Sequence, residues 1–334
     1  MTTPGMVFLF PGQGSQKVGM GRALAERWPE ARAVFEEADE ALGFALSKLC
    51  FEGPEAELTL TANAQPAILT TSIAALRVLA KETDLRPAAL AGHSLGEYSA
   101  LVAAGALRLA DAVRVVNLRG RFMQEAVPAG VGAMGAIVGI GPAEIEAVCA
   151  EAAAASSGEL CSPANFNGGG QVVIAGHRGA VERACAAAKA RGARMAKLLA
   201  VSAPFHCALM QPAAERLQAE LARIEIGALS APVIGNVEAA PYQDAGRVRA
   251  LLVKQVTAPV RWEESILYLA SRGFTSAVEV GAGNVLGGLV KRIAPAFVVR
   301  AAGEPEAIQT LRQPAVAIQS AAAGGSQEAQ HRHG

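Results

Sequence analysis

The sequence predicts an α/β fold with a mainly parallel sheet and a small inserted unit. Three observations carry that expectation. Short apolar runs of strand length alternate with stretches of helical periodicity from Met6 to Ala126; this alternation buries a parallel sheet under helices on both faces. Between Gly130 and Val201 the rhythm changes to strand, helix, strand, strand, helix, strand, the ferredoxin-like order. From Ser202 the earlier alternation resumes. The expected division is a large domain over 1–129 and 202–302, an insert over 130–201, and a mobile tail over 303–334 that is rich in Ala, Gln, Ser and Gly.

In order, Met6–Phe10 reads as a buried first strand, ended by the glycine-rich Pro11–Gln16. Helical patterns follow over 19–42 and 65–82, then a strand at Ala88–Ala91 and helices over 95–104 and 110–126. The insert reads as strand 133–140, helix 142–155, strands 160–165 and 171–175, helix 179–191 and strand 194–199. The remainder places a helix after Pro212, a strand at Val233-Ile234, helices over 247–256 and 263–272, a strand at 277–280, a helix over 284–293 and a last strand at 297–299.

Composition narrows the function. With 51% hydrophobic and 18% charged residues in 334, the chain can bury a large core. Its 30 basic and 30 acidic residues cancel, which argues against nucleic acid or an anionic membrane as the main partner. No apolar run is long enough to span a bilayer, and the start lacks the charged region of a signal peptide. Five scattered cysteines without a C-x-x-C pair suggest reduced thiols and a cytoplasmic location. Gly130–Gly135 matches G-x-G-x-x-G, but a strand pattern follows where dinucleotide binding needs a helix. No Walker A or metal-spaced His/Cys set is present. His331 and His333 fall in the tail.

The chemistry centres on Gly92-His93-Ser94-Leu95-Gly96, a serine flanked by glycines between a strand and a helix. That is the nucleophile-elbow pattern; the alternative is an ordinary helix N-cap serine. A nucleophilic serine needs a base. His93 adjoins Ser94, but successive side chains through a tight turn point apart. His206 lies where the chain leaves the insert, so it can face a cleft between the two units, or else it is a hydrogen-bonded structural histidine. Arg119 has Val115, Val116, Phe122 and Met123 three and four residues away, which places it on the core face of its helix, while Arg121 has polar neighbours. A core arginine needs an anion, either a substrate carboxylate or a buried structural partner. Gln13, in the loop after the first strand, is either a donor to an oxyanion or a plain turn residue.

At this point the motifs are recognisable. PGQGSQ at 11–16, QPAIL at 65–69, GHSLGEYSALVAAGAL at 92–107, Arg119-Gly120, GAMGAIVG at 132–139, NFN at 165–167 and QVVIAG at 171–176 stand in this order. SAPFHCALM at 202–210, QVTAPVRW at 255–262 and EVGAGNVL at 279–286 follow. The chain resembles the malonyl-CoA:acyl carrier protein transacylases of bacterial fatty-acid synthesis. The resemblance implies a hydrolase-like large domain with a ferredoxin-like insert. It implies Ser94 as nucleophile, His206 as general base and then acid, the N–H groups of Gln13 and Leu95 as oxyanion hole, and Arg119 as clamp for the malonyl carboxylate. It further implies that the main chain of Gln255 orients the histidine. Gln65, His93, Asn165, Asn167 and Phe205 become substrate-pocket candidates. The aromatic Phe205 before His206 also resembles polyketide acyltransferases, so a trans-acting role in polyketide assembly is the alternative, with a serine hydrolase or thioesterase behind it. Malonyl-CoA and acyl carrier protein are the expected partners, no metal or redox cofactor is expected, and a monomer is the default. Lys189, Arg191, Arg194 and Lys197 on the insert could dock an acidic carrier, or form a solvated basic face.

Overall fold

Alternate residues of β1 (Met6–Phe10) feed two different cores. Phe8 and Phe10 pack with Phe35, Ile68 and Leu95 on one face; Val7 and Leu9 pack with Trp262, Ile266 and Val290 on the other. Period-two alternation explains why a strand covered on both sides is apolar throughout. The computed structural model describes residues 5–201 and 203–312.

The first part of the large unit continues with α1 (Arg22–Arg27), α2 (Pro29–Leu42), α3 (Leu46–Glu52), α4 (Glu55–Thr59) and α5 (Thr61–Glu82). It ends with β2 (Pro87–Gly92), α6 (Leu95–Ala103) and α7 (Leu109–Glu125). The insert holds β3 (Gly132–Val138), α8 (Pro142–Ala154), β4 (Cys161–Gly168), β5 (Gln171–His177), α9 (Arg178–Ala190) and β6 (Met195–Leu198). The chain then returns through α10 (Gln211–Leu221), β7 (Val233–Ile234), β8 (Pro241–Tyr242), α11 (Ala245–Thr257) and α12 (Trp262–Ser271). β9 (Ser276–Glu279), α13 (Val285–Ile293), β10 (Val298–Ala301) and α14 (Pro305–Thr310) complete it.

The large sheet has the order β10-β9-β1-β2-β7-β8, parallel except for β8 at one edge. The insert's sheet, β4-β5-β3-β6, is antiparallel and packs α8 and α9 through Val148, Val181, Ile137 and Ile174. The two sheets are tied together. Phe166 N donates to Val260 O at 2.9 Å and Val260 N to Ala164 O at 2.9 Å, so β4 is pinned to the segment just after α11.

Two expectations are corrected. The helix expected over 19–42 is two helices: Trp28 is extended (φ −124°, ψ 121°) because Pro29 excludes the helical region from the residue before it. The tail expected from 303 starts later. Pro305 sits at the first turn of α14, and Ile308 and Leu311 are buried in the main core, so 303–312 is packed structure. Residues 313–334, including His331 and His333, lie outside the described residues. α3, α4 and β8 were not anticipated.

Candidate active site

The site lies at the C-terminal ends of β1 and β2, where the parallel strands leave their loops on one edge. His93 N donates to Phe10 O at 3.1 Å, which sets the loop bearing Gln13 against the turn bearing Ser94. Ser94 has φ 51° and ψ −104°, a strained conformation for a residue with a side chain. Only glycine fits beside it: a Cβ on Gly92 would overlap the main chain of Gly96, and one on Gly96 would overlap Phe10 O. Ser94 is therefore not a conventional N-cap; its side chain makes no capping bond to α6. The turn is held by Asn236, whose Oδ1 accepts from Ser94 N at 2.6 Å and whose Nδ2 donates to Gly92 O at 2.7 Å.

The three distant side chains converge. Ser94 Oγ is 2.8 Å from His206 Nε2, and Arg119 Nη2 donates to the same Oγ at 3.2 Å. His206 Nδ1 is 2.9 Å from the main-chain oxygen of Gln255, which leaves Nε2 as the acceptor for the serine hydroxyl. Burial above all, and then the charge of Arg119, push the pKa of His206 down to about 3, against the pull of the Gln255 carbonyl. The imidazole is thus neutral and able to take a proton. Arg119 is 2% exposed and sits on α7 as its helical position predicts, whereas Arg121 is exposed. Its Nη1 donates to Gln65 Oε1 at 2.6 Å and its Nη2 to Gln255 Oε1 at 3.0 Å. No carboxylate pairs with it among the described residues, and its Nε has no partner there. Burial lowers its pKa, opposed by Tyr98 and Glu97.

The other anticipated residues gather around this group. A cleft of about 540 Å³ between the large unit and the insert is lined by Gln13, Gln65, His93, Asn165, Asn167 and Phe205 together with Ser94, Arg119 and His206. His93 does point away from the serine's partner: its Nε2 meets Asn167 Oδ1 at 2.9 Å. Gln13 lines the same cleft as Ser94, and Leu95 opens α6 directly after it. Gln65 reaches the site because α5 begins before it, at Thr61; Pro66 cannot donate to Ala62 O, and Asn117 Nδ2 takes that acceptor at 2.8 Å. His177 is occupied elsewhere, its Nδ1 accepting from Leu160 N at 2.8 Å. Residues 130–135 lead into β3, so that glycine pattern starts no helix. Lys189, Arg191, Arg194 and Lys197 are exposed, and Arg191 pairs with Glu151 at 2.6 Å. No group of His, Cys, Asp or Glu among the described residues is arranged to hold a metal, and no helix there is long and apolar enough to cross a membrane.

Sequence reasoning missed Asn236, Glu97 and Tyr242. Glu97 had a signal: with Ala100, Leu101 and Ala104 it lies on an apolar helical stripe, the same argument that placed Arg119 inward.

A mainly parallel sheet carrying a serine–histidine pair beside an unpaired core arginine defines an α/β acyltransferase. Residues 7–295 match the model of the acyl transferase domain, and the chain belongs to that family, among the malonyl CoA-acyl carrier protein transacylases. It is 50% identical over 301 residues to the protein of that name from Salmonella typhimurium, covering 90% of this chain and 96% of the relative. It is 49% identical over 312 residues to that of Bacillus subtilis, covering 92% and 98%. Among solved structures, the Coxiella burnetii transacylase matches with a TM-score of 0.90 at 44% identity, covering 93% and 97%. A malonyl-transacylase in complex with its type II PKS acyl-carrier protein matches with a TM-score of 0.89 at 45% identity, covering 92% and 99%.

Proposed function

We propose that this chain moves a malonyl group from malonyl-CoA to the phosphopantetheine thiol of acyl carrier protein, in fatty-acid biosynthesis. The observation that carries the reading is an imidazole nitrogen at 2.8 Å and a guanidinium at 3.2 Å from one serine hydroxyl. His206 Nε2 takes the proton as Ser94 Oγ attacks the thioester carbonyl. The N–H groups of Gln13 and Leu95 stabilise the oxyanion. The C–S bond breaks, the histidine returns its proton to the leaving coenzyme A thiolate, and a malonyl-serine ester remains. The carrier's thiol then repeats the sequence in reverse. Arg119 binds the free carboxylate and selects malonyl over uncharged acyl groups.

Every step uses groups of this chain and its two thioesters, so no metal or redox cofactor is assigned. A monomer in the cytoplasm is the working form. The relative described with a type II PKS acyl-carrier protein favours one second reading, the same transfer to a polyketide carrier. A serine hydrolase gives no account of an unpaired guanidinium at the nucleophile.

The test is incubation with isotopically labelled malonyl-CoA, followed by mass spectrometry of the peptide containing Ser94 and then addition of carrier protein. A stable ester that the carrier discharges supports the reading. Rapid release to water supports a hydrolase, and absence of an adduct refutes both.

A further inference from the structure

Glu97 takes no part in the chemistry above, yet its carboxylate is sealed inside the large unit at 1% exposure, three residues after Ser94. No ion pair among the described residues includes it. Its Oε1 accepts from Tyr242 OH at 2.9 Å; its Oε2 accepts from Gln255 Nε2 at 2.7 Å and from Asn236 N at 3.1 Å. A carboxylate buried on neutral donors costs stability that an apolar residue would not.

Two of those donors lead straight back to the reacting groups. Gln255 Nε2 also donates to Ser94 O at 3.1 Å. With its amide hydrogens turned toward Ser94 O and Glu97, its oxygen is left facing Arg119 Nη2 at 3.0 Å. The reversed amide would set donor against donor at Arg119 and acceptor against acceptor at Glu97. The other donor, Asn236, is the residue that clamps the Ser94 turn.

We infer that Glu97 is a positioning residue for substrate selection: it fixes the side-chain amide of Gln255 so that its oxygen holds Arg119 in one carboxylate-binding orientation beside Ser94. The inference rests on the transfer reading above. The intervening amide also explains why Arg119 remains available. A direct carboxylate partner would occupy the guanidinium fork and compete with the substrate. A bridging amide links the two groups by hydrogen bonds while the guanidinium stays open to a ligand.

The experiment compares kcat/KM for malonyl-CoA and acetyl-CoA in wild type and in Glu97→Met, Glu97→Gln and Glu97→Asp. Glu97→Met removes both acceptors at similar volume. It is expected to lower the malonyl value about tenfold more than the acetyl value. Glu97→Gln keeps an oxygen for Gln255 and Asn236 and donates to the Tyr242 hydroxyl, so its selectivity stays within about threefold of wild type. If Glu97→Met does not fold, Glu97→Asp, which withdraws the carboxylate by one methylene, carries the same expectation in milder form. Parallel losses for both substrates overturn the inference, because a structural role moves both alike. So does a Glu97→Gln loss of selectivity as large as that of Glu97→Met. The Ser94 adduct keeps the two claims apart: no adduct in wild type sinks the transfer reading, whereas an adduct with unchanged selectivity in the Glu97 variants sinks this inference alone.

Discussion

His206 Nδ1 donates to the main-chain oxygen of Gln255 at 2.9 Å, so the catalytic imidazole is oriented by a carbonyl dipole rather than by a carboxylate. A carboxylate would favour the imidazolium with a full charge; a carbonyl dipole fixes the tautomer with a weaker pull in the same direction. Burial and Arg119 then hold the pKa near 3, well below the ordinary histidine value of 6.5.

The first prediction concerns pH. The base is the neutral form, so single-turnover acylation by malonyl-CoA should vary less than about threefold between roughly pH 5 and 8. A limb centred near 6.5 would contradict the assignment. Stability moves the other way. Below 6.5 the unfolded chain binds a proton at residue 206 that the folded chain refuses, so this group costs stability progressively as pH falls from 6.5 toward 3. Relative to wild type, His206→Gln should flatten the decline of thermal unfolding temperature across that interval.

A second prediction follows from Arg119, whose charge touches both selectivity and the base. Arg119→Met should lower kcat/KM for malonyl-CoA about a hundredfold, the scale of a lost charge-assisted contact, and leave acetyl-CoA nearly unaffected. The same substitution removes a cause of the low His206 pKa, so an acid limb should move upward in pH. Unchanged selectivity in steady-state kinetics would remove the clamp from the mechanism.

How much of this was legible depended on whether the signal is local. Arg119 was readable because four apolar neighbours at helical spacing place it inward. The insert was readable because its strands and helices are long enough to show their periods. α4 is five residues long, too short for a period, and β8 only two. Asn236 follows a two-residue strand and acts on a main-chain N–H 142 residues away; nothing near it in sequence reports that contact. Gln255 was accessible only through family resemblance, since a main-chain carbonyl leaves no mark on residue type.

A third prediction concerns Glu279, which is fully buried at the end of β9 and accepts from Leu286 N at 3.0 Å and Gly287 N at 2.8 Å. It caps α13 from a neighbouring strand, where the helix has no side-chain cap of its own. Glu279→Gln keeps the volume but turns an amide donor toward one of those N–H groups. The cost should be about 2 kcal/mol, measured as a shift in the urea midpoint at constant m.

The last prediction sets two glycines against each other. Gly96, in the first turn of α6, packs against the main chain of β1, and a Cβ there would overlap Phe10 O. Backbone cannot yield as a flexible side chain can, so Gly96→Ala must push the serine turn away from the loop that carries Gln13. It should cost several kcal/mol and abolish acylation even in whatever fraction folds. Gly288 lies in α13, exposed, with no atom within 4 Å of where a Cβ would stand. There alanine loses nothing in the folded state and restricts the unfolded chain, so Gly288→Ala should stabilise by about 0.5–1 kcal/mol with kcat unchanged. Urea unfolding and malonyl-CoA acylation of the two variants side by side provide the check. Similar effects at both positions would mean that the contact between the Ser94 turn and β1 is not what fixes the nucleophile.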